Sequence, residues 1–434
     1  MLVIGAGPVG LAVSRALEQA HLPYQLVDAA EAVGGNWLHG THEHARIVSS
    51  RSTTAYSDFP MPERNGDFPD RSAMIRYLDE FARVHGIDAR MQRHTSVLSL
   101  RSTQSANANR VYIAHTTRGT IEARGVYVCT GHHWAKRYPA WAQDYKLQSF
   151  HAKDYKHRGQ LAGALRVLVV GSGNSAADIA CDAARAGAQV DISVRSGRWL
   201  FPKTINGRPT VEKMNSLLPE ALQKRVLRAH MVKTHGEFAY LGGTPNHDLF
   251  DKHPTLSDEL APMLRSGQIK QRPGVATAAA DSLEFEDGRS ATYDLVVYAT
   301  GYDLHFPFLP EGTVAQQGSH ALLYGGALTR EHKHLYIVGT SQPRYGFGPL
   351  ITPASALLAQ YSIWQDKLHR PLGELYASIG VRPAPSPFSN PRRALRDIRL
   401  AQQLYPLLKA ADSYLLRTRG PCVSPPLGSN LESP

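Results

Sequence analysis

Two glycine-rich fingerprints, each set between an aliphatic strand and an apolar-periodic helix, constrain this chain more than any other feature. The first is Met1-Leu-Val-Ile-Gly-Ala-Gly-Pro-Val-Gly10, running into Leu-Ala-Val-Ser-Arg-Ala-Leu-Glu. In that context Gly5 permits a tight turn, Gly7 lets backbone approach a pyrophosphate, and Gly10 lets the helix pack closely on the strand. The helix start, with Pro8 at its head, offers free N–H groups and partial positive charge to phosphates. A second strand, 24–28, ends in Asp28, where a carboxylate would bind a ribose diol.

The layout then repeats. Arg166-Val-Leu-Val-Val170 leads into Gly171-Ser-Gly-Asn-Ser-Ala176 and a helix, and a strand over 190–194 ends in Arg195. An arginine there suits the fork geometry of a ribose 2′-phosphate and removes the carboxylate that would repel it. The first module is therefore expected to hold a dinucleotide without that phosphate, and the second to hold NADPH. Candidate contacts in the second are Gly171, Gly173, Asn174, Ser175 and Arg195, with Arg198 as a second phosphate partner and Lys203 as a weaker one. Asp178 reads as a brace for its helix. Each fingerprint is followed by an apolar strand ending in Thr-Gly, at Thr130-Gly131 and Thr300-Gly301. A matched pair of this kind is far more specific than one GxGxxG. The fold class it predicts is α/β, with two Rossmann-like dinucleotide-binding domains.

Composition narrows the alternatives. The 434 residues suffice for two or three domains, and 42% apolar with 20% charged residues is ordinary for a globular chain. No apolar run approaches the ~20 residues of a membrane span. The start at Met1 lacks a basic n-region, so it reads as strand and turn rather than signal peptide, and a cytoplasmic location is expected. Cys129, Cys181 and Cys422 form no CxxC pair, which argues against a disulfide framework or a dithiol redox centre. The formal charge of +11 favours anionic partners, but the basic residues are scattered without an aromatic platform, so nucleic acid is not expected. His39, His42 and His44 lack Cys neighbours and fall in a loop; no metal site is expected.

Other stretches complete the frame. Residues 72–85 carry apolar side chains at helical spacing, 56–62 read as a loop, and Leu335-Tyr-Ile-Val-Gly339 as a late strand before a turn-rich stretch. A helix follows over 354–364, then one or two amphipathic helices over 392–417, then a Pro, Ser and Gly-rich tail from Gly420 that is expected to be disordered. The first strand has only Met1 to Ile4 before Gly5, short for a central strand, which predicts a start further upstream or a weakened edge of the first site.

These residues resemble the class B flavin-dependent monooxygenases, in the flavin-containing monooxygenase branch. The likeness runs in order through Gly5 to Gly10, Gly34-Gly-Asn-Trp37, Tyr56-Ser-Asp-Phe-Pro60, Cys129-Thr-Gly131, His151 to Tyr155, Gly171 to Asp178, Val194-Arg195 and Ala299-Thr-Gly-Tyr302. The family's FxGxxxHxxxY or W sequence is partly kept: His151 and Tyr155 fit, whereas Tyr145 stands for Phe and Leu147 for Gly. Tyr at the last position is similar to the amine- and sulfide-oxidising branch. The Asn that animal members carry before the SDFP-like loop has no counterpart in Ile47-Val-Ser-Ser-Arg-Ser-Thr-Thr54.

The resemblance implies FAD in the first module and NADPH in an inserted second one. The implied layout is an N-terminal FAD part over 1–155, an NADPH domain over 156–300, a C-terminal FAD part over 301–375, and helices with a tail over 376–434. Gly35, Asn36, Trp37 and Gly339 would flank the flavin. His151 and Tyr155 would lie on the connection between modules and couple NADP⁺ position to flavin state, while His132 and His133 would line the cleft. The family implies a flavin C4a-hydroperoxide, formed with O2, that passes its distal oxygen to a small-molecule nitrogen or sulfur nucleophile. This is chemistry carried by the cofactor, so no catalytic triad is expected. Baeyer–Villiger or oxidative-decarboxylating activity on a carbonyl substrate is the nearest rival. A non-catalytic redox-sensing nucleotide-binding protein is the rival of another class, and a homo-oligomer is compatible with either.

Overall fold

The computed structural model describes residues 1–104, 110–214, 218–420 and 427–428. The tail expected to be disordered lies, apart from residues 420 and 427–428, outside the described residues, as does Cys422.

Two five-stranded parallel sheets carry the molecule, and their orders correspond. The first runs Leu335–Ile337, Val126–Val128, Leu2–Ile4, Gln25–Val27, Met91–Gln92. The second runs Ser149–His151, Leu295–Tyr298, Arg166–Val170, Gln189–Ser193, Ile269–Arg272. In each, the fingerprint strand is central, with the strand leading to Thr-Gly on one side and the strand that ends at Asp28 or Arg195 on the other. The central strands read as unbroken β-branched and aliphatic runs because both of their faces are covered, as parallel sheets require. Leu2, Val3, Val167, Leu168 and Val169 are all buried. A three-stranded antiparallel sheet precedes each Thr-Gly strand, over 97–123 in the first module and 275–291 in the second. That echo was not visible in composition.

Sheet membership places one boundary differently from expectation. Ser149–His151 falls before the domain limit expected at residue 155, yet it pairs with Val296–Tyr298 in the second sheet. The first strand is indeed short, three residues, but it is paired on both sides, so its backbone groups are met despite its length.

The helices follow the sequence with instructive departures. Asp70 caps Arg71–Val84 by accepting from the Ala73 N–H at 2.8 Å. The helix expected over 354–364 begins earlier, at Gly348, and runs through Pro353 to Gln365. Tertiary contact overrides the proline: a Cβ on Gly348 would meet the Ala55 carbonyl oxygen at 2.1 Å, so this end is seated against the 51–55 segment. Two helices, Pro391–Ala401 and Tyr405–Arg419, cover the amphipathic stretch near the end.

Between Arg198 and Leu256 the second module carries an insert with its own core of Trp199, Phe201, Leu227, Met231 and Phe250. Tyr345 of the first module is buried in the same cluster, and Ser52 donates to Glu212 at 2.6 Å. The insert therefore packs on the first module rather than projecting into solvent.

Candidate active site

The two Thr-Gly turns are physically joined. Ala135–Lys136, just after the first, pairs antiparallel with Tyr302–Asp303, just after the second. Arg137 reinforces the ribbon: its N–H donates to the Gly301 carbonyl at 3.1 Å, its carbonyl accepts from Thr300 Oγ1, and its Nε donates to Asp303 at 2.7 Å. Ligands of doubly wound sheets sit beyond the carboxyl ends of the strands. Both sheets thus open onto one shared cleft.

In the first module the fingerprint helix Pro8–Gln19 begins without a side-chain cap at Gly7. Its first N–H groups remain available to an anion. Gly7 lies against Gly35: a Cβ on Gly35, whose φ is +55°, would stand 2.7 Å from Gly7 Cα. The two glycine turns therefore form one continuous backbone surface. Asp28 is fixed beside it, with one carboxylate oxygen accepting from Ala6 N–H at 2.6 Å and the other from Ala30 N–H at 2.8 Å. Each oxygen keeps lone-pair capacity for a ribose diol. Tyr56 of the SDFP-like loop donates to the Pro8 carbonyl at 2.7 Å, which ties that loop to the fingerprint. Trp37 packs partly buried on the core, and Gly339 accepts from His132 Nδ1 at 3.1 Å. These features fit a bound dinucleotide.

The second cradle is more open. A Cβ on Gly173 would meet nothing within 4 Å, and Ser175 at the helix start is exposed. The Asn174 side-chain oxygen is engaged in the fold, accepting from the Leu256 N–H at 2.9 Å. Arg195 is exposed at the strand end, and no acidic partner lies within ion-pair distance of it among the described residues. Arg198 points inward: among the described residues its buried Nε has no hydrogen-bond partner, and burial lowers its pKa. These two guanidiniums suit an anionic ligand. Lys203 does not join them; it lines a separate cavity of about 620 Å³ whose walls mix acidic side chains, Asp178, Asp258 and Glu259 among them, with the basic Arg158 and Arg185. Asp178 faces His42, 3.7 Å away.

The connection between modules is a clamp. His151 is fully buried, its Nε2 donating to the Gly301 carbonyl at 3.0 Å and its Nδ1 accepting from Lys153 N–H at 3.0 Å. Both nitrogens are committed to backbone, and burial lowers its pKa, so the ring is neutral and holds geometry rather than a mobile proton. Tyr155 donates to Asp182 on the second fingerprint helix at 2.9 Å. From the same segment Lys156 donates to the His39 carbonyl and Lys153 to Asn36 Oδ1, both at 2.7 Å, and so hold the first module. Tyr145 is buried with its hydroxyl on the Tyr293 carbonyl, while Leu147, at the family's glycine position, is exposed and meets no steric demand.

Two histidines of the cleft are partly shielded from solvent: burial lowers the pKa of His132, and burial with Arg198 brings His253 to about 4, whereas His133 is exposed. The three loop histidines turn to separate partners: His39 to Glu31, His42 to Asp178 and His44 to Glu43. Among the described residues no group of three or more His, Cys, Asp or Glu is placed to hold a metal. Cys129 is buried behind the first turn, and burial pushes its thiol up. Sequence reasoning missed Lys153, Arg137, Trp134 and His253. Each is a single residue in an irregular stretch, and only the ribbon and clamp bring them together.

This is a pair of dinucleotide cradles around one cleft, and comparison with known proteins gives the class. The family model described as FMO-like, flavin-binding monooxygenase-like, matches residues 1–363, and the chain belongs to that family. N-oxide-forming dimethylaniline monooxygenase 2 of Mus musculus is 29% identical over 380 residues, spanning 81% of this chain and 71% of that protein. Flavin-containing monooxygenase 2 of Homo sapiens is 29% identical over 349 residues, spanning 74% of this chain and 65% of that one. The chain thus spans about two thirds of the length of these relatives. Cyclohexanone monooxygenase in its open crystal form superposes with a TM-score of 0.68 at 16% identity, covering 96% of this chain and 98% of that chain. At that identity the likeness speaks for the fold, two Rossmann domains in one α/β chain. No helix among the described residues is long and apolar enough to cross a membrane.

Proposed function

We propose that this protein is an NADPH- and O2-dependent FAD monooxygenase that oxygenates a small-molecule nitrogen or sulfur nucleophile. The observation that carries the reading is the ribbon 135–136 with 302–303, which joins the turns of both cradles at one cleft. FAD, when bound, accepts a hydride from NADPH and activates oxygen for transfer. The chain's own residues do the rest. Gly5, Gly7, Pro8, Gly10, Gly35 and the N–H groups after Pro8 bind the FAD pyrophosphate, and Asp28 its ribose; Asn36, Trp37, Thr130, Gly131 and Gly339 border its ring end. Gly171, Gly173, Asn174, Ser175, Thr300 and Gly301 cradle NADPH, Arg195 holds its 2′-phosphate, and Arg198 a second anionic oxygen. His151 and Tyr155 orient the second module against the first.

The name of the 29%-identical Mus musculus relative, an N-oxide-forming dimethylaniline monooxygenase, supports a nitrogen nucleophile. Incubation of FAD-loaded protein with NADPH and isotopically labelled O2 tests the reading. It expects label in an N-oxide or sulfoxide from a panel of tertiary amines and thioethers. Label only in esters or lactones from ketones would transfer the assignment to Baeyer–Villiger chemistry. NADPH consumption ending wholly in hydrogen peroxide across the panel would remove both.

A further inference from the structure

Lys153 ties the clamp to Asn36, but a hydrogen bond to a neutral amide does not call for a buried charge. Its residue is 7% exposed, and its Nζ donates to Asn36 Oδ1 and to the His133 carbonyl, both at 2.7 Å, while standing 3.7 Å from the Trp134 ring centroid. All three directions of the ammonium are met by neutral groups. Among the described residues no carboxylate lies within 4 Å of it: the adjacent Asp154 is turned to Lys136 at 2.6 Å. Space is reserved for this arrangement. A Cβ on Gly40 would stand 1.9 Å from Asn36 Oδ1 and 2.6 Å from Lys153 Nζ.

A buried cation without a counter-charge is costly, and proteins keep one where an anion meets it. Its place indicates which anion. Asn36 follows the Gly34-Gly35 turn of the first cradle, and Trp134 closes the first Thr-Gly turn by donating to the Thr130 carbonyl at 2.7 Å. The Tyr302 ring, 5.7 Å from Nζ, follows the second Thr-Gly turn. The ammonium therefore stands where the two cradles join.

Resting on the functional reading above, we infer that Lys153 is an electrostatic positioning residue for FAD, fixed beside the first cradle to offset the negative charge that hydride arrival creates there. In that step two electrons and one proton pass from the nicotinamide to the isoalloxazine. NADPH becomes NADP⁺, and the ring system gains one negative charge. A fixed cation nearby raises the reduction potential, and the same cation is destabilised when nothing anionic is bound. Burial first and Lys156 second bring Lys153 down to about 7, the direction expected of an ammonium withdrawn from solvent.

The test is the flavin midpoint potential of the FAD-loaded full chain, read by equilibration with a reference dye. Lys153→Met is expected to retain FAD and to shift the midpoint negative, lowering the equilibrium constant for flavin reduction about tenfold, the scale of one charge acting over ~10 Å at an effective dielectric near 20. Lys153→Arg should recover most of the shift. If Lys153→Met does not fold, Lys153→Gln, which keeps a donor without the charge, should show the same displacement. A wild-type potential in whichever neutral variant is folded and FAD-loaded overturns the inference and leaves a structural role only. A wild-type chain that takes up no FAD overturns the functional reading itself, and this inference with it.

Discussion

The two fingerprint modules share a strand order but differ in how closely helix approaches strand. In the first, a Cβ on Gly10 would lie 1.8 Å from the Gly5 carbonyl oxygen; in the second the corresponding residue is Ala176, fully buried and accommodated. The first turn is pressed further, with Gly35 stacked on Gly7, whereas Gly173 faces open space. The charges diverge in the same sense. Asp28 is pinned by two backbone N–H groups, and Arg195 is exposed at the surface. The lesson is that one duplicated plan supports a tightly enclosed site and a more accessible one, as a resident coenzyme and an exchanging one would need.

The largest effect should come from exchanging the third fingerprint position. Gly10→Ala forces backbone apart, so we expect loss of bound flavin and of most folded protein. Ala176→Gly should keep both and cost about 1 kcal/mol of helix stability. Flavin-to-protein absorbance ratio with a thermal melt measures this, and equal tolerance at the two positions would break the comparison. Next in size, Arg195→Ala should lower kcat/KM for NADPH by roughly 10- to 100-fold, as loss of a charge-assisted contact does, with NADH little changed. Equal loss for both coenzymes would reject the phosphate assignment.

Smaller effects test the clamp. Tyr155→Phe removes one hydrogen bond to Asp182, which keeps Arg158 at 2.9 Å and Arg185 at 3.0 Å, so about 1 kcal/mol should be lost in chemical denaturation. A larger loss would mean that Tyr155 organises more than this contact. A pH slope tests Lys153 itself. Lys153 in the cofactor-free fold releases its proton near 7, but in the unfolded chain it does so near 10.5. Between those values the unfolded state binds more protons, so stability gains as pH rises, and the burial cost is fully felt below about 7. Melting temperature of cofactor-free protein, wild type minus Lys153→Met, should rise from pH 7 to pH 9. A flat difference would place Lys153 in a better solvated setting.

Much of the architecture was legible because glycine turns and aliphatic strands are local signals. Gly5, Gly171 and the two Thr-Gly turns fall at equivalent places in corresponding sheets, as their sequence contexts implied. Asp28 and Arg195 could be compared before any coordinates because each ends the strand beside its fingerprint. What was illegible depends on pairing between distant segments. The ribbon joining Lys136 to Tyr302 is two residues long on each side and leaves no periodicity to read. Lys153 looks like any loop lysine until Asn36, His133 and Gly40 surround it. The helix start at Gly348 was hidden by Pro349 and Pro353, since local propensity there opposes what packing against 51–55 imposes.

The central claim, that the two cradles present their coenzymes to each other across one cleft, is tested most directly by anaerobic titration of the purified, FAD-loaded protein with NADPH while flavin absorbance is followed. The account predicts bleaching at one equivalent of NADPH and return of the yellow colour on admitting oxygen. A flavin that stays oxidised under excess NADPH, yet bleaches with dithionite, would contradict it.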